Sequence, residues 1–481
     1  MSVAGVAVSP DHFIGGRRVA SDARFEDRSP IDEQVLAEVA RGSAREVELA
    51  VEAACAAFPD WAALGVAVRA EHLRRLADLI DASVDRIVAV ECLDMAMLER
   101  SLRARVIPRG ARNFRAYAEL AESHRERVWD SNGTSNRVVR MPAGAVGVIT
   151  PWNAPFMLST WKTAPALAAG CTVVLKPPEW APLSCSLLAD LTEQAGIPPG
   201  VFNVVQGIGE EAGATLVANG RLRRVSFTGS SQTGQLVATS AARNLVPVTA
   251  ELGGKSPLVV FADADLDAAA QKGALQYDDS GQNCMAGTRL LVEEPVAGEF
   301  LERFHRFVDA NVLGDPREEA TTISPLIHRD HLARVEGFVD RARATGDRIV
   351  RGGRVAEIGG LWYEPTLVEP RSNDSEIVQQ EVFGPVLTFQ TFATEEEAVR
   401  LANSTRYGLA ATVYTSSAER AERVGRSIRA GTVWVNCFLV RDLTAPFGGI
   451  GISGIGREGG DYALDFYSDL KTLQIREDST R

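Results

Sequence analysis

Short apolar runs alternate with helical patterns from about residue 145 onward, and this alternation constrains the fold more than any other feature of the chain. Four such runs occupy 146–149, 172–175, 201–205 and 224–227, and leucines at helical spacing lie between 183 and 191. Short buried strands that alternate with helices predict βαβ units and a parallel sheet covered on both faces. A sheet of this kind binds its ligands at the carboxyl ends of its strands.

A second region with the same alternation begins at 257–261 and continues through a helix at 300–312 to a strand at 432–435. At 481 residues the chain is too long for one hydrophobic core. We therefore expect two α/β domains that face each other across a cleft. The first hundred residues predict strands at 12–19 followed by helices, and 129–133 is polar and turn-rich. The tail at 464–475 alternates weakly, as an edge strand used in assembly does.

Charge and cysteine content exclude several classes of function. A formal net charge of -12 argues against nucleic acid or an anionic membrane as the main partner. The six cysteines stand far apart without a C-x-x-C pair, so neither a zinc site nor a disulfide framework is indicated, and a reducing cytoplasm fits best. We expect no signal peptide, since the N-terminus lacks a basic region followed by an apolar one, and no transmembrane helix.

Two groups of basic side chains have structural rather than functional interpretations. The arginines between 100 and 115 predict one solvated helical face. His328 and His331 have i,i+3 spacing, but no third ligand stands near them in the sequence, so they predict a helix surface and no metal site.

Cys284 is the candidate nucleophile. It lies between Gly281 and Gly287, just before an apolar run at 290–292. Glycines on both sides let the backbone take unusual dihedral angles and let a ligand come close, so this thiol can reach a bound substrate. The alternative is that Cys284 is a small buried hydrophobe, as most free cysteines are.

Two predicted strands end in motifs that hold a polar side chain in place. Prolines at 151 and 155 fix the direction of Asn153, whose amide can bind a developing oxyanion; an asparagine that caps the next helix is an equal alternative. Lys176 and Glu179 follow the next strand and suit the hydroxyls of a ribose, with a surface ion pair as the alternative.

Two further motifs are weaker signals when each is taken alone. The small residues at 227–234 open a helix whose backbone N–H groups can bind a pyrophosphate, but neither they nor Gly209 with Gly213 have G-x-G-x-x-G spacing. Glu251 precedes two glycines at the entrance to the second region. A carboxylate there can act as a general base, and a solvated loop acid is the alternative.

In this order and spacing, the motifs resemble the aldehyde dehydrogenase superfamily over essentially the whole chain. The matching pieces are Lys162 and the segments 151–155, 176–182, 227–234, 251–257, 281–284, 381–385, 407–410 and 446–454. The resemblance implies an α/β fold with a Rossmann-like parallel-sheet cofactor domain, a catalytic domain and a small β element for oligomerisation. It assigns 1–122 and 142–252 to the NAD-binding domain, 123–141 and 463–481 to the oligomerisation element, and 253–462 to the catalytic domain. A homodimer or homotetramer is expected.

The resemblance also implies NAD as the cofactor, a small-molecule aldehyde as the substrate, and a role for each motif. Cys284 would attack the aldehyde, the Asn153 amide and the Cys284 N–H would hold the oxyanion, and Glu251 would activate the water that hydrolyses the thioester. Lys162 would support proton handling, and Glu179 would disfavour NADP because its charge repels a 2′-phosphate. The residues expected to bind NAD are Ile149, Thr150, Pro151, Trp152, Lys176, Glu179, Gly209, Gly213, Phe227, Thr228, Gly229, Ser230, Leu252, Glu381 and Phe383.

Two stretches narrow the expected substrate. The sequence at 440–443, which contains Arg441, and the sequence at 107–109, which contains Arg109, resemble the hydroxymuconate and carboxymethyl-hydroxymuconate semialdehyde dehydrogenases. By that resemblance, the two guanidinium groups would clamp the carboxylate of a semialdehyde from aromatic ring cleavage. If Arg441 instead pairs with Asp442 and Arg109 is solvated, betaine aldehyde or a simple aliphatic or aromatic aldehyde becomes the better expectation.

Two departures from the family pattern also bear on the substrate. Asp278 and Asp279 precede the thiol where relatives commonly carry uncharged residues, and they would raise the pKa of the thiol or favour a cationic substrate. Gly451 stands where a lysine is common. A catalytically silent relative would lack Cys284, Asn153 or Glu251, and a CoA-acylating enzyme would not need Glu251, so the sequence argues against both.

Overall fold

The computed structural model describes residues 1–476, so the last five residues of the predicted oligomerisation element, 477–481, lie outside the described part. The strands of the described part, in chain order, are β1 (Ser2–Val3), β2 (Val6–Ala7), β3 (His12–Ile14), β4 (Arg17–Val19), β5 (Arg24–Arg28), β6 (Val35–Ala40), β7 (Arg127–Ser131), β8 (Thr134–Pro142), β9 (Ala145–Ile149), β10 (Thr172–Lys176), β11 (Phe202–Val204), β12 (Arg224–Thr228), β13 (Val248–Glu251), β14 (Pro257–Val260), β15 (Arg289–Glu293), β16 (Arg348–Arg351), β17 (Thr366–Glu369), β18 (Val386–Phe392), β19 (Ala410–Tyr414), β20 (Thr432–Val435), β21 (Gly454–Ile455) and β22 (Ser468–Ile475).

The α-helices, again in chain order, are α1 (Ala44–Ala63), α2 (Val66–Ala82), α3 (Val84–Met95), α4 (Glu99–Ser101), α5 (Ile107–Ser123), α6 (Pro155–Ala169), α7 (Leu183–Gln194), α8 (Ala214–Ala218), α9 (Ser231–Ala242), α10 (Leu266–Ala274), α11 (Ala297–Asp309), α12 (Arg329–Ala344), α13 (Glu376–Gln379), α14 (Glu395–Ala402), α15 (Ala418–Ser427) and α16 (Gly460–Phe466). Short π-helical turns occupy Leu102–Val106 and Gly209–Gly213, and 3₁₀ turns occupy Leu275–Gly281, Glu294–Val296 and Gly451–Ser453.

The first sheet has the strand order β21-β13-β12-β9-β10-β11-β3-β4, and its five central strands are parallel. Alternate residues of β9 pack into two different cores, with Val146 and Val148 on one face and Ala145 and Ile149 on the other. This is the period-2 pattern of a strand covered on both faces, and it explains the nearly continuous apolar runs. The chain enters at β9, moves outward through β10 and β11, and then returns to the opposite side of β9 at β12. The strand order therefore reverses at β9, which is where sheets of this kind bind ligands.

The second sheet has the order β16-β17-β18-β15-β14-β19-β20, parallel except for β16. Leu290 and Val292 of β15 pack on one face, and Leu291 packs on the other. The prediction of an α/β fold with two parallel sheets is therefore confirmed. One strand crosses the predicted boundary at 253, because β21 lies far along the chain but pairs with β13 at the edge of the first sheet.

The third sheet is antiparallel, with the order β22-β8-β7. The turn-rich prediction for 129–133 was partly wrong, since β7 extends to Ser131 and only Asn132 and Gly133 form the turn. Their φ angles of 54° and 70° are those of a two-residue type I′ hairpin loop, which an Asn-Gly pair favours. The tail also differs from the prediction of a single strand at 464–475, because α16 ends at Phe466 and β22 begins only at Ser468.

Among residues 1–476, no single helix is both long enough and apolar enough to cross a membrane. The bent pair α1 and α2, whose axes meet at 118°, passes that test only when the two helices are taken together. Each of the two helices buries one apolar face in the protein, including Val51 of α1 and Leu73 of α2.

Arg289, at the start of β15, is a buried structural arginine. It is 1% exposed, and its guanidinium donates to the carbonyls of Lys255, Leu401 and Ala402 over 2.7–2.8 Å. Burial lowers its pKa to about 9. These bonds join the segment that leads into β14 to the end of α14.

We expect Arg289→Met to lower the thermal unfolding midpoint by several degrees, because it removes three buried hydrogen bonds to carbonyls, of which only that of Leu401 keeps another donor, Ser404. The expected cost is about 3 kcal/mol. Arg348→Met is the matched control, since Arg348 is exposed and pairs only with Glu369 on the surface. Scanning calorimetry of both variants measures the difference. Equal small shifts in the two variants would show that the Arg289 bonds add nothing to stability.

Candidate active site

The polar motifs predicted from the sequence meet at one edge of the first sheet. Strands β9, β10, β12 and β13 end at Ile149, Lys176, Thr228 and Glu251. Ile149 stands opposite Lys176 on one side and Phe227 on the other, and Thr228 stands opposite Glu251. The loops that follow these four strands therefore leave the sheet side by side and face the second domain.

Asn153 holds the loop of the candidate nucleophile rather than a helix. Its side-chain amide Nδ2 donates to the carbonyl of Gln282 over 2.9 Å. The residue at the N-cap of α6 is Ala154, which makes no side-chain cap. The capping alternative is therefore wrong, and the Asn153 amide lies beside the loop that carries Cys284.

Gly253 and Gly254 allow three loops to touch. A Cβ on Gly254 would collide with the carbonyl oxygen of Cys284, and one on Gly253 would collide with the carboxylate of Glu381. The Gly254 N–H donates to Glu381 Oε1 over 2.8 Å. The segment that follows Glu251 is thus packed directly against both the thiol loop and Glu381. We call this contact the glycine junction (Gly253, Gly254, Cys284 and Glu381).

Cys284 is partly accessible, whereas Cys92, Cys171 and Cys185 are buried. Burial of the sulfur, together with the charges of Glu381 and Glu251, raises the pKa of the Cys284 thiol to about 12, and the charge of Arg441 opposes this. The thiol is therefore protonated near neutral pH and needs a base to become nucleophilic.

Glu251 is a desolvated acid and not the solvated loop acid of the alternative interpretation. It is 6% exposed, and neither carboxyl oxygen has a hydrogen-bond partner within residues 1–476. Burial and then the charge of Glu458 raise its pKa well above the ordinary value, while Lys162, Arg441 and Arg457 lower it. An unpaired, desolvated carboxyl near a thiol can act as a general base.

Lys162 on α6 lies at the centre of a buried polar network. Its Nζ donates to Glu458 Oε1 over 2.6 Å, to Ser226 Oγ over 3.0 Å and to the Phe227 carbonyl over 3.2 Å. Thr249 Oγ1, near the end of β13, donates to the same Glu458 oxygen over 3.2 Å. Lys162 was predicted from the sequence. Glu458 was not predicted, because its partners are distant in sequence.

One end of the cleft has the donor and acceptor groups that a nucleotide ribose requires. Lys176 is 2% exposed and its Nζ donates to Glu179 Oε2 over 2.7 Å. Gly209 lies above this pair, and a Cβ at that position would stand 3.5 Å from Glu179 Oε1. The Lys176–Glu179 pair therefore borders a space that a side chain at position 209 would occupy. It is not the simple surface ion pair of the alternative interpretation.

Beside this pair, α9 begins at a capped N-terminus. Ser230 caps the helix by accepting from the Thr233 N–H over 3.1 Å, and the Gly229 N–H is held by the Glu251 carbonyl over 3.1 Å. Gly213 lies against Ile149, and Leu252 packs on Gly234. These residues lie along the carboxyl ends of the parallel strands, where sheets of this kind bind nucleotides.

The aromatic rings of Trp152 and Phe383 meet between the two domains. The Trp152 and Phe383 rings meet edge to face with their centroids 5.3 Å apart. Phe383 has a φ of 61°, a strained value for a residue other than glycine, and such strain clusters at functional sites. Burial raises the pKa of the neighbouring Glu381 to about 7. Phe227 is buried, and Thr150 and Pro151 lie between β9 and Trp152.

Arg109 and Arg441 meet on one indole ring. Each guanidinium carbon lies 5.5 Å from the centroid of the Trp161 ring, and that of Arg441 lies 3.6 Å from the Phe447 ring. Within the described chain neither arginine forms an ion pair, and Asp442 instead accepts from Thr444. Burial, followed by the charge of Arg441, lowers the pKa of Arg109 to about 10. The surface-pair alternative for Arg441 is therefore wrong.

The acids ahead of the thiol are half-buried. Burial raises the pKa of Asp278 to about 7 and also raises that of Asp279, with Arg105 and Arg100 opposing both shifts. Asp279 and the residue after it have φ angles of 51° and 54°, so the loop reaches Gly281 in a strained conformation. Gly451 also has a positive φ, 61°, where a lysine would be strained.

The prediction of a plain helix surface for His328 and His331 was wrong. His331 is 5% exposed, and its Nε2–H donates to the Phe383 carbonyl over 2.7 Å. His328 caps α12 and stacks on Trp180. The i,i+3 spacing of His328 and His331 was the sequence signal available for these contacts, but it was interpreted only as a possible metal site.

Two α/β sheets with polar side chains at the strand ends of one and a partly accessible thiol between them have the architecture of a nicotinamide-dependent oxidoreductase. The chain belongs to the aldehyde dehydrogenase family, whose sequence model matches residues 18–473. It is 42% identical to the 2-hydroxymuconic semialdehyde dehydrogenase of Pseudomonas sp. (strain CF600), covering 97% of this chain and 99% of the relative. It is 39% identical to the chloroplastic betaine aldehyde dehydrogenase of Beta vulgaris, covering 96% and 95%.

The fold is also that of a solved relative. The indole-3-acetaldehyde dehydrogenase AldA of P. syringae, solved with NAD+ and IAA, superposes with a TM-score of 0.96 at 37% identity, covering 98% of this chain and 97% of that one. The predicted family, the predicted fold, the NAD-dependent aldehyde dehydrogenase class and NAD as the cofactor are confirmed by these comparisons.

Proposed function

We propose that the protein oxidises a carboxylated semialdehyde, of the kind formed by opening of catechol-type rings, to the corresponding acid through a thioester on Cys284. The observation that carries the proposal is the pair Arg109 and Arg441, two half-buried guanidinium groups that share one indole and have no acidic partner in the described chain. Their partner would be the carboxylate of the substrate.

Cys284 forms the covalent bond in this proposal. Glu251 takes the thiol proton, since it is desolvated and neither of its carboxyl oxygens has a hydrogen-bond partner within residues 1–476. The sulfur adds to the aldehyde carbon, and the Asn153 amide and the Cys284 N–H bind the oxygen, which becomes negative as the tetrahedral centre forms.

Lys176 and Glu179 would hold NAD+ at the adenosine ribose, and the start of α9 would hold it at the pyrophosphate. Glu381 and Phe383 would hold the nicotinamide riboside. NAD+ would supply the hydride acceptor for the oxidation of the aldehyde carbon. Glu251 then removes a proton from the water that attacks the thioester, and the acid leaves as Cys284 regains its proton. Between these two steps Glu251 has to release the thiol proton, and the nearby Glu458 can accept it at Oε2, which has no hydrogen-bond partner in the part of the chain that the structure describes. Lys162 holds Glu458 in place by donating to its Oε1.

The geometry supports recognition of an anionic group near the thiol. The charge of Arg441 acts on Glu251 and then on Cys284, which means that its guanidinium lies near both reacting groups. Arg109 reaches the same ring from α5 and is oriented by Asn113, whose Oδ1 accepts from Nε over 2.9 Å. Two planar donors on one ring can bind a carboxylate in a bidentate manner.

Betaine aldehyde is the second candidate, and the half-buried acids Asp278 and Asp279 favour it. The similarity to the enzyme from Beta vulgaris is only slightly lower than that to the muconic semialdehyde enzyme. A quaternary ammonium group placed beside Arg441, however, would meet a like charge, which the carboxylated substrate avoids.

We further propose the domain roles and the assembly. Residues 1–122 and 142–252 would form the NAD-binding domain and 253–462 the catalytic domain. Residues 123–141 and 463–481, which include most of the third sheet, would form the oligomerisation element of a homodimer or homotetramer. That sheet is exposed in the single chain and presents apolar side chains, namely Val128, Trp129, Met141, Leu470, Leu473 and Ile475. The six free cysteines agree with a cytoplasmic location, which stays a prediction.

Glu251→Gln should slow both the formation and the hydrolysis of the thioester, because the amide can accept neither the thiol proton nor the water proton. Rapid mixing should show a burst of NADH that is much slower than in the wild type and is followed by slow turnover. A burst of about one NADH per active site at the wild-type rate, followed by slow turnover, would limit Glu251 to the water step.

Arg441→Ala should lower kcat/KM for a carboxylated semialdehyde by roughly 2 kcal/mol, about 30-fold. An uncharged aldehyde of similar length should lose much less, because it loses only the effect of the Arg441 charge on Cys284 and Glu251. Arg112→Ala is the matched control, because Arg112 lies on the same helix as Arg109 but is exposed. Steady-state assays of NADH formation compare the substrates.

Betaine aldehyde is the third substrate in this comparison. An equal loss on all three substrates would contradict the carboxylate clamp, and a gain on betaine aldehyde alone would support it. A wild-type preference for betaine aldehyde over the carboxylated semialdehyde would replace the proposed substrate with the second candidate.

A further inference from the structure

The rings of Trp180 and His328 stack across the cleft. Their centroids lie 4.6 Å apart and their planes differ by 6°. Trp180 belongs to the first domain and follows Glu179 directly, whereas His328 belongs to the second domain and is the N-cap of α12. Both residues are partly exposed, so the stack lies near the surface of the cleft, beside the proposed ribose site.

The helix that His328 caps holds the opposite end of the cofactor site. Arg334 Nη2 donates to the carbonyl of Glu381 over 2.7 Å, and Arg334 Nη1 donates to that of Val382. His331 Nε2–H donates to the carbonyl of Phe383 over 2.7 Å. Three consecutive carbonyls are thus held by two side chains one turn apart on α12.

These bonds explain how Phe383 keeps its strained backbone. A positive φ at a bulky residue persists only where neighbouring groups fix it. Burial lowers the pKa of His331 to about 4, so its ring is neutral and acts as a hydrogen-bond donor through one nitrogen only. A shift of α12 would therefore move Glu381 and Phe383 together.

We propose that Trp180 and His328 are positioning residues, whose stack fixes α12 against the first domain and thereby aligns the 381–383 segment for the nicotinamide end of the cofactor. The contacts that connect the two ends are the stack of Trp180 on His328 and the hydrogen bonds from the first turns of α12 to the 381–383 segment. Trp152 reinforces it, since its ring lies 5.9 Å from that of Trp180 and 5.1 Å from that of His331. This inference rests on the proposed role of Glu381 and Phe383 in cofactor binding.

Two variants of His328 separate stacking from helix capping. The His328 Nδ1 accepts from the Asp330 N–H over 3.1 Å, and an asparagine can keep that cap but cannot stack. A phenylalanine can stack but cannot cap. We expect His328→Asn to weaken NADH binding by about 2- to 12-fold and His328→Phe to retain most of it.

The effect should be shared with Trp180. Trp180→Ala should weaken NADH binding to a similar extent, and the double variant Trp180→Ala with His328→Asn should be no worse than the weaker-binding single variant, because both remove one stack. Arg329→Ala is the control, since Arg329 is exposed and contacts Glu33 rather than the cleft. The KM for the aldehyde should stay near the wild-type value in all variants.

NADH fluorescence titration and stopped-flow dissociation measure these effects without turnover. Weaker binding in His328→Phe with normal binding in His328→Asn would mean that the cap matters and the stack does not, which overturns the proposal. Additive losses in the double variant would overturn it too. If Glu381→Ala leaves NADH binding unchanged, the underlying cofactor assignment fails, and this outcome is distinct from failure of the stack.

Discussion

The active site depends on one close approach of backbone to backbone, the glycine junction. Gly253 and Gly254 let the segment after Glu251 lie against the Cys284 carbonyl and the Glu381 carboxylate, where any side chain would collide. The Gly254 N–H then fixes Glu381. The proposed general base, nucleophile and ribose ligand come from segments far apart in sequence, yet this contact makes their relative positions rigid. Catalysis by positioned groups requires that rigidity.

The second constraint is electrostatic. Cys284, Glu251 and Glu381 are acids that the fold takes out of water, and burial is the largest cause of the raised pKa of each. Arg441 is the counter-charge that Cys284 and Glu251 share. In the proposed function, the same guanidinium would both ease ionisation of the reacting groups and bind the carboxylate of the substrate. A substrate that neutralises Arg441 would remove part of that assistance, which links substrate binding to the pKa of the nucleophile.

Much of this arrangement was predictable because strand ends and turn residues are local signals. The apolar runs at 146–149 and 172–175 predicted β9 and β10, and the motifs that follow them predicted which side chains reach the cleft. The partners of those side chains were not predictable. Glu458 reaches Lys162 from almost three hundred residues away in sequence, and the two parts of the Arg109 and Arg441 pair are brought together only by packing on Trp161. The prediction of a plain helix surface for His328 and His331 was wrong because their spacing was considered only for metal binding. In the structure, His328 stacks on Trp180 and His331 donates to the Phe383 carbonyl.

The glycine junction can be tested with one methyl group. In Gly254→Ala the new Cβ meets the Cys284 carbonyl, whereas in Gly298→Ala the new Cβ on α11 has open space around it. The measurement is the pre-steady-state burst of NADH with aldehyde in excess, on protein whose thermal midpoint shows that it is folded. We predict that Gly254→Ala loses the burst by 100-fold or more in rate, roughly the cost of about 2.7 kcal/mol at the transition state, while Gly298→Ala keeps it. A folded Gly254→Ala variant with a wild-type burst would contradict the account.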